Sequence, residues 1–242
     1  MKVEGRNAVY ELLKTDKEID KIMIDRELKD ESSKRLLNTV KSHKVKVQFV
    51  DRRLLNKESE SKRHQGFIAI VSDYKYFEVS DILEETKGKD GFILVLSEIT
   101  DPHNLGSIIR VAECAGVDGV IIGRDRSAQV SDTVMRVSEG ALNHVKVARV
   151  TNINNAIDEL KKNGFWIYAA ETGGNDIYKT DFKGNICLVI GGEDTGVKRL
   201  TKEKCDAIVS IPMFGKVNSL NASVACGVAV YEAVRQRRKG EL

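Results

Sequence analysis

The sequence predicts an α/β protein in two parts, a small one followed by a larger one built on a parallel sheet. Three observations point there. Extended and helical patterns alternate through the first 72 residues, a polar and charge-rich stretch follows from 73 to 90, and from residue 91 short, uniformly apolar runs recur between helical patterns. With 242 residues, 41% hydrophobic and 31% charged content and only two prolines, the chain is long enough to bury a core in each part and shows no low-complexity tract.

In the first part, residues 6–14 read as helical, 19–25 as extended, 31–43 as helical, and 45–50 and 66–72 as extended, the pattern of a small α/β sandwich. The 73–90 stretch, with Lys-Gly-Lys-Asp at 87–90, reads as a linker interrupted by a short helix around 79–85. The second part opens on Gly-Phe-Ile-Leu-Val-Leu-Ser at 91–97, which suits a strand buried on both faces. Further strands are expected at 119–122, 165–170, 186–190 and 207–211, and helices at 105–115, 131–138, 153–162 and 198–204. A last helix should span about 221–237. Its positions Val224, Val228 and Tyr231 share a face expected to meet the core, while Arg235, Arg237, Arg238 and Lys239 suit the negative end of its dipole.

The N-terminus lacks the apolar core of a secretory signal, and no apolar run approaches the roughly 20 residues that cross a bilayer, so a cytoplasmic location without a membrane partner is expected. Cys114, Cys187, Cys205 and Cys226 are far apart and form no Cys-x-x-Cys pair, which argues against a zinc site or a redox dithiol and suggests small core residues. A net charge of +3 does not diagnose a partner, but its distribution is uneven. Between residues 29 and 63 stand eleven cations (Lys29, Lys34, Arg35, Lys41, Lys44, Lys46, Arg52, Arg53, Lys57, Lys62 and Arg63) against five anions. Such a run is either a patch facing nucleic-acid phosphates or a merely solvated face.

Three loops beside predicted strand ends are the natural ligand-binding candidates, because an open parallel sheet binds ligands beyond the carboxyl ends of its strands. In the first, 101–110, Asp101 and Asn104 can cap the following helix and Pro102 fits its first turn; Arg110 lies off the apolar stripe of Ile108, Val111, Ala112 and Ala115, where surface solvation is the simpler explanation of an isolated arginine. The second, Ile-Gly-Gly-Glu-Asp-Thr-Gly at 190–196, allows backbone to approach a ligand at Gly191, Gly192 and Gly196, yet has neither dinucleotide-loop nor P-loop spacing. Glu193 there can serve a cation or simply a turn. The third, 211–223, packs Pro212, Gly215, Ser219, Asn221 and their neighbours immediately before the last helix, more fixed hydrogen-bonding groups than capping by Ser219 or Asn221 requires.

Together the three loops resemble the motifs of the SpoU family, the tRNA/rRNA 2′-O-methyltransferases of the SPOUT superfamily: Asn-Leu-Gly-Ser-Ile-Ile-Arg at 104–110, Gly-Gly-Glu-Asp-Thr-Gly at 191–196, and Ile-Pro-Met-Phe-Gly from 211 continuing to Ser-Leu-Asn-Ala-Ser at 219–223. Glu-Gly-Arg-Asn-Ala-Val at 4–9 and His-Gln-Gly-Phe-Ile-Ala at 64–69 look like the ends of the substrate-binding domain of the rRNA guanosine 2′-O-methyltransferase branch. The resemblance implies an RNA-binding domain of ribosomal-protein L30e type over 1–72, a linker over 73–90, and a methyltransferase domain with a trefoil α/β knot over 91–242. It further implies a homodimer built partly on the C-terminal helix, with the active site near the interface.

By the same resemblance the cofactor is S-adenosylmethionine with no metal, and the partner is RNA, most closely a guanosine in the peptidyl-transferase region of large-subunit rRNA. Arg110 would be the catalytic arginine, Asn104 and Glu193 would shape the catalytic pocket with Glu193 holding the guanidinium, and Ser219 and Asn221 would make polar contacts. Gly191, Gly192, Gly196, Ile211, Pro212 and Leu220 would contact the cofactor. Asp194 and Ala222 depart from the family's usual smaller and larger residues without removing a polar group. A tRNA target, or a non-catalytic RNA-binding or ribosome-assembly protein, are the alternatives; a nicotinamide oxidoreductase is disfavoured by the glycine spacing.

Overall fold

A computed structural model describes residues 1–238 except 16, 29, 44, 72, 73, 194 and 195. The patch residues Lys29 and Lys44, the motif residue Asp194 and the dipole partner Lys239 therefore lie outside the described residues. The chain divides into two compact units, Met1–Lys75 and Tyr76–Leu242.

The first unit runs β1 (Lys2–Glu4), α1 (Arg6–Leu12), β2 (Ile19–Asp25), α2 (Glu31–Ser42), β3 (Val47–Val50), α3 (Arg52–Glu58) and β4 (Phe67–Val71). Its sheet has the order β1-β4-β2-β3, with only the β2/β3 pair parallel. Alternation decides the layers: Ile22, Ile24, Phe67 and Ala69 face α1 and α2, whereas Met23, Ile68 and Val50 pack on Leu55 of α3. Asp30 caps α2 by accepting the N–H of Ser33 at 3.0 Å. Neither β1 nor α3 is predicted from the sequence. Three residues give no alternation, and seven residues with one buried position, Leu55, give no helical period.

The second unit begins inside the stretch expected as a linker. Phe77 bridges to Ala148, and Val79 and Ile82 of α4 (Val79–Glu85) are buried in the large core, so the segment from Tyr76 packs as part of this unit although its surface is charged. There follow β5 (Phe92–Ser97), α5 (Pro102–Cys114), β6 (Gly119–Gly123), α6 (Asp132–Val137), β7 (Lys146–Val150), α7 (Ile153–Lys162), β8 (Trp166–Asp176), β9 (Ile186–Gly191), α8 (Arg199–Lys202), β10 (Ala207–Ser210) and α9 (Ala222–Arg237). Six strands form one parallel sheet in the order β10-β8-β9-β5-β6-β7. Every residue of β5 and β6 is buried, as their apolar runs require. The unpredicted β7 is an edge strand whose Lys146 and Arg149 interrupt the apolar run.

Two expectations about α9 and the cysteines are corrected. The core face of α9 is Ala222, Cys226, Ala229, Val230 and Ala233, while Val224 and Tyr231 are about half exposed, at 52% and 50%. The buried side of α9, which packs on α5 and β9, is made mostly of small residues that allow close approach, and the bulkier Val224 and Tyr231 are left outside. Cys187 and Cys226 are buried, Cys205 is partly so, and Cys114 is exposed on α5. Among the described residues no helix is long and apolar enough to cross a membrane, and no group of acidic, histidine or cysteine side chains could hold a metal.

Candidate active site

A cleft of about 400 Å³ opens where β8, β9 and β10 end, and its volume lies within the range of small-molecule sites. Strand order places it beside a reversal: from β9 the chain runs back past β8 to β10, while from neighbouring β5 it runs the other way to β6, a topological switch point. Ile190, Val209, Ile211, Met213 and Leu220 supply apolar walls. The glycine loop after β9 supplies backbone. Gly192 N–H donates to the Ser97 carbonyl at 2.9 Å, Gly196 N–H donates back to the Gly192 carbonyl at 2.9 Å, and a Cβ at Gly191 would overlap the Gly196 backbone. Glycine is thus what lets this loop fold against itself.

Three polar side chains from three motifs meet beside this loop. Asn104 Nδ2 donates to Glu193 Oε1 at 2.8 Å, and Asn221 Nδ2 donates to the same oxygen at 2.7 Å and to Asn104 Oδ1 at 3.1 Å. Asn221 Oδ1 caps α9 by accepting from Ser223 N–H at 2.9 Å and from the Ser223 hydroxyl at 2.6 Å. Asp101 alone caps α5, accepting the His103 N–H at 2.8 Å; Asn104, expected as a second cap, is turned to Glu193 instead. One carboxylate is thereby fixed from two helices, each amide doing double duty.

Of the residues singled out from sequence, Gly191, Gly192, Glu193, Gly196, Ile211, Ser219 and Leu220 line the cleft, and Asn104 and Asn221 hold Glu193 from behind. Pro212 lies between the lining residues Ile211 and Met213 without lining the cleft itself. Arg110 is not brought in. Six residues after Asn104 on α5 it lies about 120° around the helix, and its Nη1 pairs at 3.1 Å with Glu139 Oε1, both side chains more than half exposed. The expected contact between Glu193 and this guanidinium is therefore not made within one chain, where the two asparagines occupy Glu193 instead.

Glu171 is the residue that sequence reasoning missed. The β8/β10 pairing jumps from Ala169 opposite Ile208 to Asn175 opposite Val209, so residues 170–174 bow out of the ladder, and Ala170, Glu171 and Thr172 line the cleft. Glu171 Oε2 accepts the N–H of Val197 at 2.9 Å, and a side chain at Gly196 would overlap its carboxylate. The glycine loop is therefore latched to β8. The available signal was an acid at the end of a predicted parallel strand, ahead of the Gly173-Gly174 pair.

The chemistry of the lining fits a cationic, partly apolar cofactor. Among its described residues are two carboxylates, Glu171 and Glu193, and no lysine, arginine or histidine; Lys202 approaches Glu171 only from outside the lining, at 3.7 Å. A phosphate-bearing cofactor would find no countercharge here, whereas a sulfonium would, with apolar walls for an adenine.

Comparison with known proteins agrees. Residues 91–231 match the model of the SpoU rRNA Methylase family, and residues 2–77 match that of the RNA 2′-O ribose methyltransferase substrate-binding domain. Fold and site together define an RNA methyltransferase that uses S-adenosylmethionine. The chain belongs to the SpoU family, also known as the TrmH family. It is 42% identical over 238 residues to a relative from Staphylococcus aureus (strain COL), covering 97% of this chain and 96% of that protein, whose name places it among TrmH family tRNA/rRNA methyltransferases. A similarly named protein, YacO of Bacillus subtilis (strain 168), is 38% identical over 239 residues, covering 97% and 95%. The crystal structure of the SpoU methyltransferase AviRb from Streptomyces viridochromogenes in complex with AdoMet has a TM-score of 0.63 and 27% identity, covering 99% of this chain and 91% of that one.

Proposed function

We propose that the protein methylates a ribose 2′-hydroxyl of RNA, with a guanosine of large-subunit rRNA as its target, and works as a homodimer in the cytoplasm. The observation that carries this reading is the Asn104–Glu193–Asn221 cluster at the edge of a cleft lined by carboxylates and apolar groups. When bound, S-adenosylmethionine supplies an electrophilic methyl group. Glycine-loop backbone and the walls from Ile190, Ile211 and Leu220 would hold it.

A neutral 2′-hydroxyl is a poor nucleophile, so transfer needs loss of its proton and in-line placement. Arg110 orients and polarises that hydroxyl as a permanent cation; it stabilises the oxygen as charge develops, and the proton passes to a separate acceptor, water or an RNA phosphate. Since Arg110 lies outside the cleft of its own chain, the reading joins the two through the dimer. The exposed apolar face of α9, with Val224 and Tyr231, supports such an interface. The trefoil knot belongs to the same reading.

Mapping 2′-O-methylated nucleotides in rRNA and tRNA from cells with and without the gene tests it. The expected result is loss of one 2′-O-methylguanosine in large-subunit rRNA. Loss in tRNA alone would move the target to tRNA, as the names of the relatives allow. No loss in either, with no methyl transfer by the purified protein, would overturn the enzyme in favour of a passive RNA binder.

A further inference from the structure

The connection from α3 to β4, residues 59–66, is fixed more firmly than a joining loop needs. Glu4 of β1 gathers it: Oε2 accepts the hydroxyls of Ser59, at 2.7 Å, and Ser61, and Oε1 accepts the N–H of Glu60 at 2.6 Å. Each hydroxyl relays the hold. Ser59 Oγ accepts the N–H of Lys62 at 2.9 Å, and Ser61 Oγ accepts the N–H of Arg63 at 3.1 Å. At the far end His64 is buried; its Nδ1 accepts the N–H of Gly66 at 3.0 Å, and its Nε2 lies 2.8 Å from Asn56 Oδ1 of α3. Gln65 Oε1 accepts the N–H of Arg6 at 3.3 Å.

This hold imposes left-handed backbone on two residues that have a Cβ, Lys62 at φ 57° and Gln65 at φ 48°. Conformations of that kind persist only where the surroundings enforce them, and they gather at functional sites. What they display here is charge. Lys62 and Arg63 are exposed and form no salt bridge among the described residues, and the same holds for Arg53 and Lys57, one turn apart on the exposed side of α3. Elsewhere in this unit Lys2, Arg6, Lys14, Arg26 and Lys34 are paired with carboxylates. Arg35 and Lys41 also stand exposed on α2, but no comparable network fixes them. Within the loop Glu60 is the one acid.

We propose that the loop 59–66 and the exposed side of α3 form the surface on which this unit holds RNA phosphates, with Lys62 and Arg63 aimed in advance by Glu4 and His64. The proposal rests on the RNA-methylating reading above and names the face that does the holding. A backbone set before binding leaves only the two long side chains to be ordered on contact, and two cations from adjacent residues suit a polyanion with closely spaced charges.

The test uses the full chain and two probes, a transcript of the peptidyl-transferase region of large-subunit rRNA and a tRNA transcript, titrated at several salt concentrations. Lys62→Ala with Arg63→Ala should weaken binding of the preferred transcript about tenfold or more and make the logarithmic salt dependence shallower by roughly 2. Glu4→Gln with Ser61→Ala keeps every cation and should weaken binding with the salt slope unchanged. Calorimetric affinity for S-adenosylhomocysteine should stay the same in both variants, and circular dichroism reports folding. Unchanged affinity and slope in a folded Lys62→Ala, Arg63→Ala protein would overturn the surface, and unchanged affinity on loosening the loop would overturn its preorganisation. A wild-type chain that binds neither transcript would overturn the RNA reading itself.

Discussion

A single carboxylate, Glu4, gathers the loop between α3 and β4, and its acid response should show it. Burial pushes this carboxyl up, but the Ser59 and Ser61 hydroxyls and the N–H groups of Glu60 and Ser61 outweigh burial and hold it at about 2, against an ordinary value of 4.5. Because the folded value lies below the unfolded one, its stabilising contribution is whole above about pH 4.5 and is lost as pH falls toward 2. Glu4→Gln should therefore flatten the fall in stability across that interval, read by urea unfolding; an identical acid limb would show that the network does not hold the carboxylate. Arg110 is the converse, a side chain with almost no structural role. Its exposed pair with Glu139 is worth roughly 0–1 kcal/mol, so Arg110→Ala should leave melting temperature and S-adenosylhomocysteine affinity unchanged. Methyl transfer should fall by about 10²-fold or more. Near-normal turnover on the true RNA would reject the assigned role. Thiol chemistry separates the cysteines in the same way: burial pushes Cys226 to about 12 and Cys187 well above the usual range, while Cys114 is exposed. Iodoacetamide should label the native protein first at Cys114; equal labelling of Cys226 would contradict its packing.

Among the elements, the loop after β9 depends on a partner that is remote in sequence. Removing the Glu171 carboxylate strands the N–H of Val197, a residue 1% exposed, at a cost of about 1–3 kcal/mol, and frees the loop that lines the cleft. Glu171→Ala should weaken S-adenosylhomocysteine binding about tenfold by calorimetry, and Glu171→Gln, whose amide oxygen still accepts, should restore part of it. Wild-type affinity in the alanine variant would show that the latch is idle. What was legible follows from the same physics. Strands buried on both faces announce themselves as apolar runs, so β5, β6 and β9 are plain in the sequence; β7 at the sheet edge and α3 with its single buried leucine are not. The glycines of the cleft and the cap Asn221 could be read from local need, whereas Asn104, whose amide is spent on the distant Glu193, stood out only through its motif. Glu171 could not be read, since it reaches the cleft only through the excursion of β8 from β10. The mistaken face of α9 has a related cause: both sides of that helix carry apolar residues, so the period alone does not say which is buried, and the buried one is made mostly of small residues.

For the whole molecule, one chain presents a cleft without a described cation in its lining and, elsewhere, an exposed Arg110 and an uncovered apolar face on α9. Phe214 and Val217, on the segment that leads to the cleft-lining Leu220, are also in water, 96% and 74% exposed. In the proposed dimer a second copy would both cover such groups and bring a guanidinium to the cleft. The purified protein should therefore sediment as a dimer, and Val224→Asp with Tyr231→Glu should yield a folded monomer that has lost methyl transfer but still binds S-adenosylhomocysteine. Mixing separates shared sites from self-contained ones. Neither Arg110→Ala nor Glu193→Ala protein should be active alone, yet subunits exchanged between them would form dimers in which one site has an intact cleft and an intact arginine from the other chain. Recovered methyl transfer on mixing would establish that Arg110 acts on the partner's cleft. Failure of the mixture, with exchange of subunits verified, would mean that each chain completes its own site and that Arg110 must leave Glu139 to reach it.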